Sequence, residues 1–193
     1  KRQILENAIK INCGKQSLVY DDCFSFVAAH DDEDAAKKIM KLFDVEWKRQ
    51  GRNVNAVQVL TPLREDTKVS ANALNLKIKD KINPYKRGQQ EIKSGNKIFR
   101  IQDKVMQTKN EDEISNGDIG IVRKIRKVSG KKYMEVDFGE GRVMRYQEVE
   151  PWNLVHAYAI TAHKGQGSEY PVVIIPVLSC FRRHTLKLSL IHI

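Results

Sequence analysis

Apolar positions between residues 31 and 49 repeat with a helical period: Ala36, Ile39, Met40, Phe43 and Trp47 fall at i, i+3, i+4, i+7 and i+11. That spacing predicts one buried helix face. Asp31-Asp-Glu-Asp34 opens the segment and Lys48-Arg49-Gln50-Gly51 closes it, the charge order and glycine stop that a helix dipole and a C-cap favour. A shorter amphipathic helix is expected over 4–12, carried by Ile4, Leu5, Ala8, Ile9 and Ile11 and ending before Gly14. Residues 18–29, with Phe24, Phe26 and Val27, read as a β-like run, and 54–60 as a buried strand stopped by Thr61-Pro62. A further helix is expected from about Thr67 to Lys81, broken at Asn83-Pro84. Helix, strand, loop and helix in this order are the rhythm of a parallel α/β sheet.

From about Asn96 to Glu150 the pattern changes to short alternating segments cut by turn residues. Phe99, Ile101 and Val105 precede Asn116-Gly117; Ile119–Val122 and Tyr133–Phe138 follow; Gly139-Glu-Gly141 then closes a hairpin with Arg142–Tyr146. Such a series describes a small SH3-like β-barrel. After Pro151 the apolar run Leu154–Ile160 and a strand over Val172–Val177 return to the first pattern. The expected architecture is an α/β domain interrupted by the barrel. It divides into a first part at 1–95, the insertion at 96–150, a second part at 151–180, and an atypical tail at 181–193.

Composition narrows the setting. The chain has 193 residues, 41% hydrophobic and 30% charged, enough to bury a core in a soluble globular fold. No apolar run reaches the roughly 20 residues that span a bilayer, and the start at Lys1-Arg-Gln lacks a signal-peptide apolar region. Cys13, Cys23 and Cys180 are scattered, without Cys-x-x-Cys spacing. A zinc site or disulfide framework is therefore not expected; a reducing cytoplasm is. The net charge of +10 favours a polyanionic partner, most often nucleic acid. Arg123, Lys124, Arg126, Lys127, Lys131 and Lys132 concentrate part of that charge in the barrel, either as a track for a phosphate backbone or as an ordinary solvated ribbon.

The stretch 157–176 concentrates the chemistry. It sets Thr161, His163, Lys164, Gly165, Gln166, Gly167 and Glu169 just ahead of an apolar strand. Hydroxyl, imidazole and ammonium groups suit phosphate and sugar contacts, and glycines let backbone N–H groups approach a phosphate. The plain alternative is a polar loop before a strand.

Thr161-Ala-His-Lys-Gly-Gln-Gly-Ser-Glu-Tyr-Pro171 resembles motif V of superfamily 1 helicases, and specifically the RecD-like branch, whose pattern is T-x-H-K-S-Q-G-S-E-[FY]. Gln58–Arg64 with Leu74-Asn75, Gln102–Asn110, Asn116–Gly120 and Glu6–Asn12 resemble further family segments in the family's order. The resemblance implies an incomplete RecA-like parallel-sheet domain, the second of two motor domains, interrupted by the SH3-like insertion. It implies a 5′-to-3′ DNA helicase driven by ATP and Mg²⁺, acting on single-stranded DNA or a single-strand/double-strand junction and working against an N-terminal RecA-like domain. Carried over by position, Thr61, Arg64, Thr161, His163 and Lys164 would border or contact DNA; Gln166, Gly167 and Glu169 would face the nucleotide. Gly165 departs from the family's Ser. No G-x-x-x-x-G-K-[ST] phosphate loop occurs in the sequence, nor does an arginine-bearing motif VI, so no Mg²⁺ ligand and no catalytic residue is assigned here and the 193 residues alone are expected not to hydrolyse ATP. Residues from about His184 onward do not match the family and read as a non-native tail. The alternative is a non-catalytic nucleic-acid-binding protein built on the barrel, which would account for the charge and for 96–150 but leave Gln58–Arg64 and Thr161–Glu169 without a role.

Overall fold

The architecture was obtained as a computed structural model that describes residues 2–15, 17–148 and 153–177. Two compact units emerge: one takes in the chain up to Leu74 and again from Ala159, and the other is Asn75–Tyr158. The expected tail at 181–193 lies outside the described residues.

In the first unit, helix α1 spans Arg2–Asn12 and helix α2 spans Asp32–Arg49. Asp31 caps α2, its carboxylate accepting from the Asp34 N–H at 2.7 Å. Ala35, Ala36, Ile39 and Phe43 form the buried face. At the other end the Gly51 N–H reaches the Lys48 carbonyl and the Arg52 N–H reaches that of Trp47, with Gly51 at φ 64°. This is the left-handed cap that lets a helix stop within one residue. Strand β1, Val57–Thr61, is buried throughout. It is the centre of a parallel sheet in the order β10-β1-β9, where β9 is Ala159–Thr161 and β10 is Val172–Ile174. Strands buried on both faces call for apolar sequence, supplied here by Val57, Val59 and Leu60, while the buried Gln58 amide donates to the Val59 carbonyl.

Helix α3 is Ala71–Ile82, four residues later than the sequence suggested. Residues 67–70 are held as a turn by Ser70, whose N–H and hydroxyl both donate to the Thr67 carbonyl. The first helical donors, Ala71 and Asn72 N–H, go to the Leu63 and Arg64 carbonyls instead. The expected run at 18–29 is also revised. It forms no strand beyond an isolated bridge between Asp21 and Phe24. The Asp21 carboxylate accepts from the Cys23 and Phe24 N–H groups, each at 2.8 Å, and bends the chain into a side-chain-capped turn. Residues of β propensity without a partner strand remain extended and exposed.

In the second unit, hairpin β2–β3 (Glu91–Ser94 and Lys97–Arg100) stands beside an antiparallel sheet of order β7-β6-β5-β4-β8. Its strands are β4 Lys104–Gln107, β5 Ile119–Val128, β6 Lys131–Asp137, β7 Val143–Gln147 and β8 Leu154–His156. Ile92 and Phe99 from the hairpin join Val105, Val122, Met134, Val136 and Leu154 in one core. Two sheets closing on a shared core make the small barrel that the alternation implied. The expected β6–β7 hairpin is present, turned through Gly139-Glu140-Gly141 with all three at positive φ. The apolar run Leu154–Ile160 does not serve one element: its first residues pair with β4 as β8, and its last pair with β1 as β9.

Candidate nucleic-acid and nucleotide interface

Parallel pairing decides where the polar segment sits. Thr61, the last residue of β1, lies in register with Thr161, the last residue of β9. The segments following both strands therefore leave from the same carboxyl edge of the sheet, where open α/β folds place their ligands.

From β9 the chain enters one turn of 3₁₀ helix, Ala162–Gly165. Ala162 and Gly165 face inward while His163 is exposed and Lys164 half-buried. Gly165 is seated so closely that a Cβ there would lie 2.7 Å from Leu60 Cδ2. A tight turn follows. Gln166 has φ −63° and ψ 133°, Gly167 has φ 81°, and the Ser168 N–H donates to the Gly165 carbonyl at 3.2 Å. These are the angles of a type II turn, which requires positive φ at its third residue and so selects glycine at 167. The turn leaves Gln166, Gly167 and Glu169 exposed and open space where a Gly167 side chain would be.

Each expected site residue can now be placed. Thr161, His163, Lys164, Gln166, Gly167 and Glu169 lie in one continuous surface segment, and Thr161 makes no hydrogen bond to cap the turn it precedes. Arg64 is on the neighbouring loop, its side chain 69% exposed and loosely paired with Glu65 at 3.7 Å. An exposed pair at that distance contributes little. Thr61 differs from the rest. It is fully buried and its hydroxyl donates to the Val69 carbonyl at 2.9 Å. It ties down the 62–70 loop that carries Arg64 and presents no hydroxyl to solvent.

Sequence reasoning passed over a buried polar centre in the other unit. The Asp103 carboxylate accepts from Asn83 Nδ2 at 2.8 Å, from the Tyr158 hydroxyl at 3.0 Å and from the Arg100 backbone N–H at 2.8 Å. His156 Nε2 lies 3.2 Å away and Lys79 Nζ 3.9 Å. Burial works against the Asp103 charge, but the His156 hydrogen bond and the nearby cations hold its pKa below the usual value. Burial pushes the Lys79 ammonium down and keeps the Tyr158 phenol protonated well above its ordinary range. The sequence offered only an adjacent Asp103-Lys104 pair, which does not announce partners at 79, 83, 156 and 158. Among the described residues no group of three or more His, Cys, Asp or Glu is arranged to hold a metal ion, and no helix is long and apolar enough to cross a membrane.

Comparison with known proteins agrees with this architecture. A family model described as the SH3 domain of ATP-dependent RecD-like DNA helicases matches residues 74–138. Over 121 residues the chain is 37% identical to the ATP-dependent RecD2 DNA helicase of Deinococcus radiodurans, covering 62% of this chain and 16% of that protein. A solved structure of two coordinating Pif1 helicases at forked dsDNA superposes with a TM-score of 0.50 at 17% identity, covering 98% of this chain and 43% of that one. The matches cover a parallel α/β framework and, at 74–138, a domain similar to the SH3 domain of RecD-like DNA helicases. The chain is thus similar to part of the RecD-like helicases, spanning 16% of the Deinococcus relative and 43% of the Pif1 chain. Identity that runs well beyond the SH3 domain disfavours a free-standing barrel protein.

Proposed function

We propose that the chain supplies the second motor domain of a 5′-to-3′ ATP-dependent DNA helicase, and that the 161–169 segment is its two-sided contact. Thr161, His163, Lys164 and Arg64 grip the sugar–phosphate backbone of single-stranded DNA. Gln166, Gly167 and Glu169 face ATP, which when bound supplies the free energy of phosphoanhydride cleavage. The observation that carries this reading is the register of Thr61 with Thr161. It puts the exposed His163, the half-buried Lys164 and a glycine turn on one carboxyl edge, where N–H groups and cations can address two phosphate-bearing ligands. The open space at Gly167 fits a phosphate or ribose approaching the backbone. Thr61 acts by holding the Arg64 loop. Mg²⁺ and the phosphate loop belong to the N-terminal RecA-like partner domain, and a cytoplasmic setting, with DNA repair or recombination as the task, follows from the helicase reading.

Fluorescence anisotropy with a labelled oligo-dT tests the grip. Wild-type 1–193 is expected to bind with affinity that falls steeply as salt rises. His163→Ala/Lys164→Ala should lose about ten-fold or more while melting at the wild-type temperature. Unchanged affinity in that variant sinks the assignment. ATP turnover by 1–193 at rates typical of a motor enzyme would sink the partner-domain requirement, because phosphoryl transfer needs the phosphate cradle.

A further inference from the structure

The SH3-bearing unit carries an exposed ring outside its core. Tyr85 follows Pro84 in the loop between α3 and β2 and is 56% exposed. One face of its ring is not left to solvent: the Arg100 guanidinium carbon lies 5.9 Å from the ring centroid. Arg100 is itself only 8% exposed. Its side chain donates to Glu91 Oε1 and to the Asn83 carbonyl, and pairs with Asp80 at 3.7 Å. Its backbone N–H is held by Asp103. The cation is thus fixed from several sides, and the ring it backs is fixed with it. The loop is also ordered beyond Tyr85, with the Gln89 N–H donating to the Lys86 carbonyl and the Gln89 side chain accepting from the Lys86 N–H.

Folding gives no reason for this arrangement, since Tyr85 contributes nothing to the barrel core. What it creates is a rigid aromatic face, pre-oriented by a buried cation, with Lys86 and Arg87 exposed immediately after it and Lys81 exposed on the last turn of α3. An exposed aromatic face flanked by cations suits a splayed nucleobase with its phosphates, since stacking tolerates any base and the cations track the backbone. An apolar protein partner would have no use for three exposed cations within four residues of the ring in sequence.

We propose that Tyr85 is a base-stacking platform for single-stranded nucleic acid, with Lys81, Lys86 and Arg87 addressing the flanking phosphates. The inference rests on the single-strand reading given above, and its test separates the two.

Anisotropy is measured for wild type, Tyr85→Phe, Tyr85→Leu and Tyr85→Ala against an oligo-dT and against an abasic sugar–phosphate strand of equal length. The expected result is near wild-type binding of oligo-dT by the Phe variant and about a ten-fold loss in the Leu and Ala variants. The slope of affinity against salt should not change, because no phosphate contact is removed. Wild type should prefer oligo-dT to the abasic strand, and Tyr85→Ala should narrow that preference. Thermal melting of all four proteins serves as the folding control, and the exposed position predicts no shift. Wild-type affinity in the Ala and Leu variants overturns the platform while leaving the motif V-like grip intact. A loss with a reduced salt slope, or equal loss in the Phe variant, also overturns it. Wild type that binds neither strand overturns the single-strand reading itself.

Discussion

At the scale of single residues, the turn after β9 depends on two glycines for different reasons. Gly167 is needed for its backbone angle; Gly165 is needed for its size. Because the Leu60 methyl group already occupies the space where a Cβ at 165 would go, this chain has matched a glycine on the turn to a leucine on β1. Introducing the serine of the family pattern by Gly165→Ser should overpack that seat and cost about 1–3 kcal/mol. The strain should tilt His163 and Lys164 and weaken oligonucleotide binding with it. Trimming the opposing group in Gly165→Ser/Leu60→Val should recover much of both losses. Urea denaturation and anisotropy on the two variants check this; a double variant no better than the single one would refute the pairing. None of it could be read from sequence, because a glycine chosen for space and one chosen for angle look alike until the neighbouring strand is placed.

At the scale of elements, α2 was fully legible: its apolar spacing, acidic opening and Gly51 stop each have a local physical cause. The 18–29 run was not, since whether a β-prone segment becomes a strand depends on a partner that lies elsewhere in the chain. The division of Leu154–Ile160 between two sheets was hidden for the same reason, as a buried apolar run satisfies either sheet equally. Strand β4 carries a further consequence. Lys104 is fully buried and burial pushes its pKa down from 10.5 to about 7. Between those two values the unfolded chain holds a proton at this position that the folded chain has released. The barrel's stability should therefore rise with pH through that window, by at most about 1.4 kcal/mol per unit. Below pH 7 both states are protonated and this contribution is flat. Lys104→Met keeps most of the unbranched side chain without its titration, so urea midpoints at pH 7 and pH 9 should lie closer together than in wild type. An unchanged difference would assign the pH dependence to other groups.

At the scale of the whole molecule, the resemblance of 161–169 to motif V was legible because it lies in one unbroken run of residues, whose order can be read without the fold. The buried centre around Asp103 was invisible, since Asn83, Arg100, Asp103, His156 and Tyr158 are brought together only by the fold. The second unit begins at Asn75 and ends at Tyr158. Asn75 Nδ2 donates to the His156 carbonyl at 2.8 Å, and the Tyr158 hydroxyl donates to Asp103. Residues 75–158 expressed alone are accordingly expected to unfold in a single cooperative transition, with near-ultraviolet circular dichroism showing fixed aromatic packing. A molten or non-cooperative product would show that the barrel needs its host.

The Asn75–His156 hydrogen bond has an evolutionary meaning as well. A segment whose entry and exit are fastened to each other appears to its host as a short connection, however much chain lies between. Such a segment can be acquired, lost or exchanged without redesign of the sheet that receives it. A barrel that folds alone would be portable, and the Asn75–His156 clasp is the contact that would make it so.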